Sequence, residues 1–139
     1  MEKLLQIIIQ LRAMQLFYHH CHLTVSKALF FQDHLALGDF YEALEDDYDR
    51  VSERLIGLYG SDGFLLPVIS KQVDAKLAAV VPYKENVQCF EQGLKMEQEL
   101  VAMCTAVGKS LTFGTEQLLG DVCDKSEGRQ YKIKQRIKK

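Results

Sequence analysis

Apolar residues recur every three or four positions along most of the chain, which is the spacing of one face of an α-helix. The first such pattern runs from Glu2 to about Lys27, and the second runs from Phe31 to Tyr59. Gly57 and Gly60 are typical stop signals for the second pattern. Residues 28–30 form a short break between the two. These patterns predict two long helices that fold back on one another.

Three further segments have the same spacing after a connection that ends at Pro67. Residues 68–81 predict a short helix that stops before Pro82, because the residue before a proline disfavours helical backbone. Residues 83–109 predict a third long helix, and Thr115 is the expected N-cap of a fourth. We therefore expect an all-α chain in which residues 1–139 are one domain. The expected fold is a four-helix bundle with a short helix between its second and third helices.

The composition is that of an ordinary globular domain, with 47% hydrophobic and 26% charged residues. Polar side chains interrupt the apolar N-terminal segment, so we interpret it as a helix rather than a signal peptide. No apolar run approaches the roughly 18 residues that cross a membrane. The four cysteines contain no Cys-x-x-Cys motif, which indicates neither a zinc ribbon nor a redox pair. Buried free thiols and a cytoplasmic location are expected.

Positive charge is concentrated at the C-terminal end. Residues 125–139 carry seven Lys or Arg against one Glu, whereas the preceding residues have a net charge of -8. One interpretation is a solvated chain end. The other is a mobile arm, ending in the sequence KIKQRIKK, that binds DNA phosphates without sequence specificity.

Candidate chemistry is concentrated between His19 and Glu53, a segment that contains all four histidines and nearly half of the acidic residues. His22 and His34 lie six residues before and after the turn at Ala28. In an antiparallel helix pair they face each other, which predicts half of a metal site. His19 and His20 are expected at the surface.

Asp49 and Glu53 are four residues apart and share a helical face, which predicts a second half-site. Fifteen residues of helix separate His34 from Asp49, a distance of roughly 22 Å at 1.5 Å per residue. One chain therefore cannot assemble a single site from these residues. If helix two packs against its own copy about a two-fold axis near Glu42, His34 of one chain approaches the carboxylates of the other. The mixture of imidazole and carboxylate ligands suits iron.

The segment resembles the ferroxidase signature of the Dps-like ferritins, the DNA-protecting mini-ferritins of starved bacteria. The matching residues are His22, His34, Asp49, Glu53 and Arg54, with Phe30, Phe31 and Tyr41 near the second histidine. A weaker similarity continues through Gly114-Thr115-Glu116, Leu118-Leu119, Glu127 and Tyr131. The resemblance covers most of the chain, but its specific motifs lie in the first 54 residues.

The resemblance implies a ferritin-like shell of twelve subunits, built from dimers, that oxidises Fe(II) with hydrogen peroxide and stores non-haem ferric iron. It implies His22, His34, Asp49 and Glu53 as metal ligands. Acidic residues of the last helix would line pores for iron, with Glu116, Asp121 and Asp124 as candidates by location.

Two positions depart from the family pattern. Leu23 stands where the family has Trp, and Gly38 stands where it has a ligand Asp four residues after the second histidine. Asp39 and Glu42 are candidate substitutes for the absent carboxylate. Three alternatives therefore remain: a shell or DNA-binding scaffold with an impaired site, a bundle that stays dimeric, and a pair of histidines with only a structural role.

Overall fold

Five α-helices contain most of the chain, and no β-strand is present. The computed structural model describes all 139 residues. The helices are α1 (Glu2–Thr24), α2 (Phe30–Tyr59), α3 (Leu66–Ala78), α4 (Asn86–Val107) and α5 (Phe113–Ile137), and a single 3-10 turn, Gly108–Ser110, precedes α5. The prediction of an all-α fold is confirmed.

Helix α1 lies between several partners because its apolar residues surround almost the whole helix. Helices α2 and α4 pack on two of its sides, and the short α3 crosses it. Helix α3 contributes only Ile69 and Val73 to the fully buried core. Helix α5 packs mainly against α4 and, less extensively, against α2. The four long helices therefore enclose one continuous apolar core.

Several predicted helix ends are displaced by a few residues. Helix α1 ends at Thr24 rather than near Lys27, because Val25 is extended and Lys27 has a positive φ of 69°. Helix α2 ends at Tyr59, and Gly60 follows it with a φ of 80°, a conformation that glycine adopts without strain. Gly60 therefore stops the helix as predicted.

The prediction that Thr115 caps the last helix is wrong. Thr112 is the N-cap, and its side-chain oxygen accepts a hydrogen bond from the backbone N–H of Thr115 at 3.3 Å. Thr115 is buried inside the first turn, where its hydroxyl contacts Thr112 and Arg54. Both threonines satisfy the sequence preference for an N-cap, and the start of the helix at Phe113 selects the first of them.

The basic C-terminal end is part of a packed helix rather than a mobile arm. Helix α5 continues to Ile137, and Ile133 is fully buried. Arg136 forms a two-point ion pair with the buried Asp33 at 2.9 and 3.0 Å, which connects the end of α5 to the start of α2. Only Lys138 and Lys139 follow the helix. The interpretation of residues 125–139 as a mobile segment is therefore corrected.

Candidate metal centre

His22 and His34 are held together at the closed end of the α1–α2 hairpin. The His22 Nδ1 lies 2.6 Å from the backbone carbonyl of His34, and the His34 Nδ1 lies 2.7 Å from the carbonyl of His22. Because a carbonyl oxygen only accepts, each Nδ1 carries a proton and donates it. In the neutral form of each ring, Nε2 is then the nitrogen that carries the lone pair. A metal-binding histidine in proteins commonly donates its other ring N–H in this way, which fixes the tautomer and the ring orientation.

Aromatic rings fix the orientation of the pair. The two imidazoles stack on each other with centroids 3.7 Å apart and an interplanar angle of 20°, and His34 also stacks on Phe30 at 4.9 Å. Tyr41 meets the edge of His22 at 5.3 Å and stacks on His19 at 4.2 Å. His19 was expected at the surface, but it is half-buried within this group. His20 is exposed, as expected.

Gly38 has a packing role that its sequence position did not show. A Cβ built on Gly38 would lie 3.1 Å from both Cε1 and Nδ1 of His22, which is closer than ordinary van der Waals contact. The absence of a side chain at this position lets the His22 ring lie directly against α2. An aspartate there would have to displace His22 by a few tenths of an ångström. The position of the His22 ring and the absence of the carboxylate are therefore linked.

The four candidate carboxylates project from α2 into solvent. Asp39, Glu42, Asp49 and Glu53 are all exposed, and none of them forms a hydrogen bond or an ion pair within the chain. The α2 helix is continuous between His34 and Asp49, so the separation of roughly 22 Å applies. Within one chain, no three His, Cys, Asp or Glu side chains form a group that could hold a metal ion. The histidine pair and the carboxylates therefore lie far apart within one chain.

Exposed apolar residues lie close to the two histidines in the sequence. Leu23, Phe31 and Leu35 are 67%, 78% and 65% exposed, although each lies within four residues of His22 or His34. Leu23 and Leu35 are each directly adjacent in sequence to one of the histidines. Large apolar residues grouped around a polar centre are typical of a surface that another molecule covers.

A buried charged cluster lies between the helices and was not predicted from the sequence. Glu97 is fully buried and receives two hydrogen bonds from Arg129, at 2.6 and 3.1 Å. Tyr18 donates to the same carboxylate at 2.9 Å, and Ser126 donates to it at 2.6 Å. Burial, followed by the charge of Glu97, raises the pKa of the Tyr18 phenol well above its usual value. The phenol is therefore protonated and acts as a donor at neutral pH.

The signal for this cluster was present in the helical patterns. Glu97 stands on the face of α4 that also carries Phe90, Gly93 and Leu100, and Arg129 stands in line with Val122 and Ile133 on α5. A charged residue on an apolar face of each of two helices indicates a buried ion pair, because an isolated buried charge is strongly unfavourable.

A second charged cluster connects α2 to α5. Asp47 is fully buried, and burial raises its pKa although Lys125 and Arg50 both lie 3.3 Å from its Oδ1. Asp121 receives a hydrogen bond from Arg50 at 2.7 Å, and this bond lowers the pKa of Asp121. Asp121 is therefore engaged inside the chain, in contrast to its expected location at a pore. Among the other pore candidates, Glu116 is half-buried and Asp124 is exposed.

Comparisons with known proteins identify no family for this chain. No protein-family model matches the sequence, and no curated protein matches it. None of the helices has the length and apolar content needed to cross a bilayer.

Proposed function

We propose that this chain is the subunit of a Dps-like ferritin that oxidises Fe(II) at a site between two subunits and stores the ferric product. The arrangement of four long helices with a short α3 between α2 and α4 supports a ferritin-like fold. The histidine pair supports the chemistry. His22 and His34 place two imidazole rings in direct contact, with their centroids 3.7 Å apart.

The observation that carries the proposal is the reciprocal hydrogen bonding of His22 and His34. Each ring donates its Nδ1–H to the carbonyl of the other residue, so in the neutral form of both rings Nε2 is the nitrogen that can bind a metal. A pair of structural histidines does not require this tautomer in both rings. The stacked rings and Phe30 hold the pair before a metal arrives.

The carboxylates that would complete the site come from a second copy of the chain. An antiparallel contact between two α2 helices, centred near Glu42, brings His34 of one subunit towards Asp49 and Glu53 of the other. Those carboxylates have no partner in the single chain, so they are available as ligands. The exposed Leu23, Phe31 and Leu35 supply the apolar area that such a dimer would bury.

The combined donor set would bind Fe(II) as a substrate. Imidazole nitrogen and carboxylate oxygen together suit iron, and the carboxylates stabilise the higher charge of Fe(III) after oxidation. Two Fe(II) ions give up one electron each while one hydrogen peroxide takes up two protons and becomes two waters. Asp39 and Glu42 lie next to the missing carboxylate at Gly38 and are the residues that could bind a second iron, directly or through water. Twelve subunits would then enclose the stored iron.

Anaerobic titration with Fe(II), followed by addition of hydrogen peroxide, tests the activity. The protein should produce ferric absorbance faster than buffer alone, and His34→Ala should abolish most of this gain. His20→Ala is the matched control, because His20 lies exposed on α1 and should leave the rate unchanged. A rate equal to that of buffer, with His34→Ala indistinguishable from the unchanged protein, contradicts the proposal.

Gly38 favours a second candidate, a shell or DNA-binding scaffold that keeps the assembly without the oxidation chemistry. The His22 ring lies 3.1 Å from the position of a Cβ on Gly38, so a carboxylate could be added there only if the ring moved. Light scattering measured beside the iron titration separates the two candidates. An assembly of the dodecameric mass that neither binds Fe(II) nor oxidises it identifies the scaffold, and a dimeric mass identifies the smaller bundle.

A further inference from the structure

A cavity of about 600 Å³ lies between the C-terminal half of α1 and the connection that joins α3 to α4. Its volume is within the range of small-molecule sites in proteins, which is about 300–1,000 Å³. The apolar wall consists mainly of the aliphatic residues Leu16, Leu77, Val80 and Val81, with the ring of Phe17 among them. None of the proposed metal ligands lines the cavity, so it is separate from the proposed iron site.

Contacts at both ends of the cavity fix the connection against α1. At one end, the Asn86 side chain accepts a hydrogen bond from the Ser26 N–H at 3.2 Å and donates one to the Ser26 carbonyl at 2.8 Å. The Tyr83 hydroxyl contacts the Thr24 hydroxyl beside this pair. At the other end, α3 packs directly on α1. The connection therefore spans the space between two fixed points, and the cavity lies beneath it.

The shape and the wall of the cavity suit an aliphatic chain. Leu16 and Thr24, which both line it, are eight residues apart on α1, so the cavity extends along roughly 12 Å of helix. Val81 is 74% exposed and Leu16 is 38% exposed, although both belong to the apolar wall. Burial of apolar surface is favourable in rough proportion to its area. An alkyl chain that lies along this wall would therefore be stabilised.

The charges around the cavity favour a negative head group. No Asp or Glu lines it, although the chain has 19 acidic residues. Lys84 lines the cavity and forms no ion pair within the chain. The neighbouring Glu85 is paired with Lys27 instead, at 3.6 Å. An apolar cavity with an unpaired ammonium group and no carboxylate is complementary to a ligand with an apolar body and a carboxylate.

We propose that this cavity binds a medium-chain fatty acid, with the alkyl chain along α1 and the carboxylate at Lys84. The chain covers Leu16 and Val81 and displaces water from the apolar wall. The ammonium group of Lys84 is exposed on a flexible stem, so it can reach the carboxylate at the mouth of the cavity. The apolar wall supplies most of the affinity, and Lys84 selects the sign of the head group.

Calorimetric titration of the metal-free protein with decanoate tests the proposal. Decanoate should bind, and octanoate and hexanoate should bind progressively more weakly, by about fourfold for each methylene group that is removed. Decyltrimethylammonium carries the same alkyl chain with a positive head group. It should bind roughly tenfold more weakly than decanoate, because the attraction to Lys84 is replaced by repulsion.

Two substitutions at exposed positions test the head group and the chain separately. Lys84→Gln should weaken decanoate binding about threefold to fivefold, because it removes an exposed cation. Val81→Asp puts a carboxylate on the apolar wall and should weaken decanoate binding roughly tenfold or more. The matched controls are Lys109→Gln, at another exposed and unpaired lysine, and Leu66→Asp, at an apolar residue that is 75% exposed. Neither control residue lines the cavity, so both variants should bind decanoate as the unchanged protein does.

The titration is independent of the proposed iron chemistry. His34→Ala should bind decanoate as tightly as the unchanged protein, so failure of the iron proposal does not affect this one. The proposal is overturned if decanoate does not bind, or if decyltrimethylammonium binds as tightly as decanoate. It is also overturned if Lys84→Gln and Val81→Asp bind decanoate as tightly as their matched controls, because the ligand would then lie elsewhere on the protein.

Discussion

At the scale of single residues, two glycines on helices allow aromatic side chains to approach the backbone. Gly38 accommodates His22, as described above. Gly93 accommodates Tyr18 in the core, where a Cβ would lie 2.8 Å from two atoms of the phenol. Glycine within a helix costs about 1 kcal/mol relative to alanine. At both positions the aromatic ring packs so close to the helix that a larger residue would not fit, despite the cost of glycine.

Gly93→Ala should reduce the free energy of unfolding by about 1–3 kcal/mol, because the new methyl group forces Tyr18 away from Glu97. Gly128→Ala is the matched control. Gly128 lies on α5 with no atom within 4 Å of a built Cβ, so alanine there should stabilise the protein by up to about 1 kcal/mol. Urea denaturation measures both changes. Equal effects of the two substitutions would show that the contact with Tyr18 is unimportant.

Glu97→Gln should destabilise the protein by about 3–5 kcal/mol, because it leaves the buried Arg129 without a counter-charge. Replacing both members of the pair, as in Glu97→Met with Arg129→Leu, should recover much of this loss, since no charge then remains buried. Denaturation of the unchanged protein, Glu97→Met, Arg129→Leu and the double variant forms a complete cycle. Additive losses in the double variant would contradict a direct ion pair.

At the scale of helices, the C-terminal half of α5 has two different faces. Arg129 and Arg136 point inward and are neutralised by Glu97 and Asp33. Their positive charges are therefore unavailable to an external partner. The basic residues that remain exposed are Lys132 and Lys134 on α5 and Lys138 and Lys139 directly after it, and these four are the C-terminal lysines. Any DNA binding by the C-terminal lysines would use side chains on and just after a packed helix.

Replacing the four C-terminal lysines by glutamine should abolish DNA retardation in gels at low salt, because each lysine that contacts a phosphate releases a counterion. Deleting residues 132–139 is a poorer test, since it also removes the buried Ile133 and the Arg136 ion pair.

A control variant with Lys3, Lys71, Lys95 and Lys109 replaced by glutamine changes the net charge by the same amount elsewhere on the surface. This variant should retard DNA as the unchanged protein does. Loss of DNA binding in the control, or its persistence after replacement of the C-terminal lysines, would exclude a role for the end of the chain.

At the scale of the whole molecule, the proposed site takes its ligands from two chains. Two inactive variants that each lack a different ligand should therefore restore activity when they are combined. His34→Ala and Glu53→Gln should each be inactive as pure assemblies, because each disrupts every site. A hybrid dimer that contains one chain of each type has one site with both changes and one site with neither. Co-expression of the two variants in equal amounts should therefore restore about one quarter of the unchanged rate under random pairing.

A double variant with His34→Ala and Glu53→Gln in the same chain, co-expressed with the unchanged chain, is the control for the pairing statistics. In those hybrids each site carries one of the two changes and is inactive. Only dimers of two unchanged chains contribute, and they make up about one quarter of all dimers under random pairing, so the expected rate is again about one quarter. No recovery when the two single variants are co-expressed would show that the metal ligands come from one chain.

Much of the fold follows from local sequence patterns. The number of helices and the approximate bounds of each could be predicted because apolar spacing, glycine and proline act over a few residues. Helix ends were less predictable: Thr112 and Thr115 are equally suitable caps, and only the complete packing selects between them. The end of α5 was misinterpreted because its charge suggested a solvated segment, whereas Ile133 and Arg136 are packed against the rest of the chain.

The sequence by itself determined the all-helical fold and the separation of the histidines from the carboxylates, because both depend on a fixed rise per residue along a helix. Only the tertiary structure decided which distant side chains meet. The ring tautomers of His22 and His34 and the cluster around Glu97 both depend on the register between helices. That register is set by the packing of many side chains at once, so no local pattern contains it.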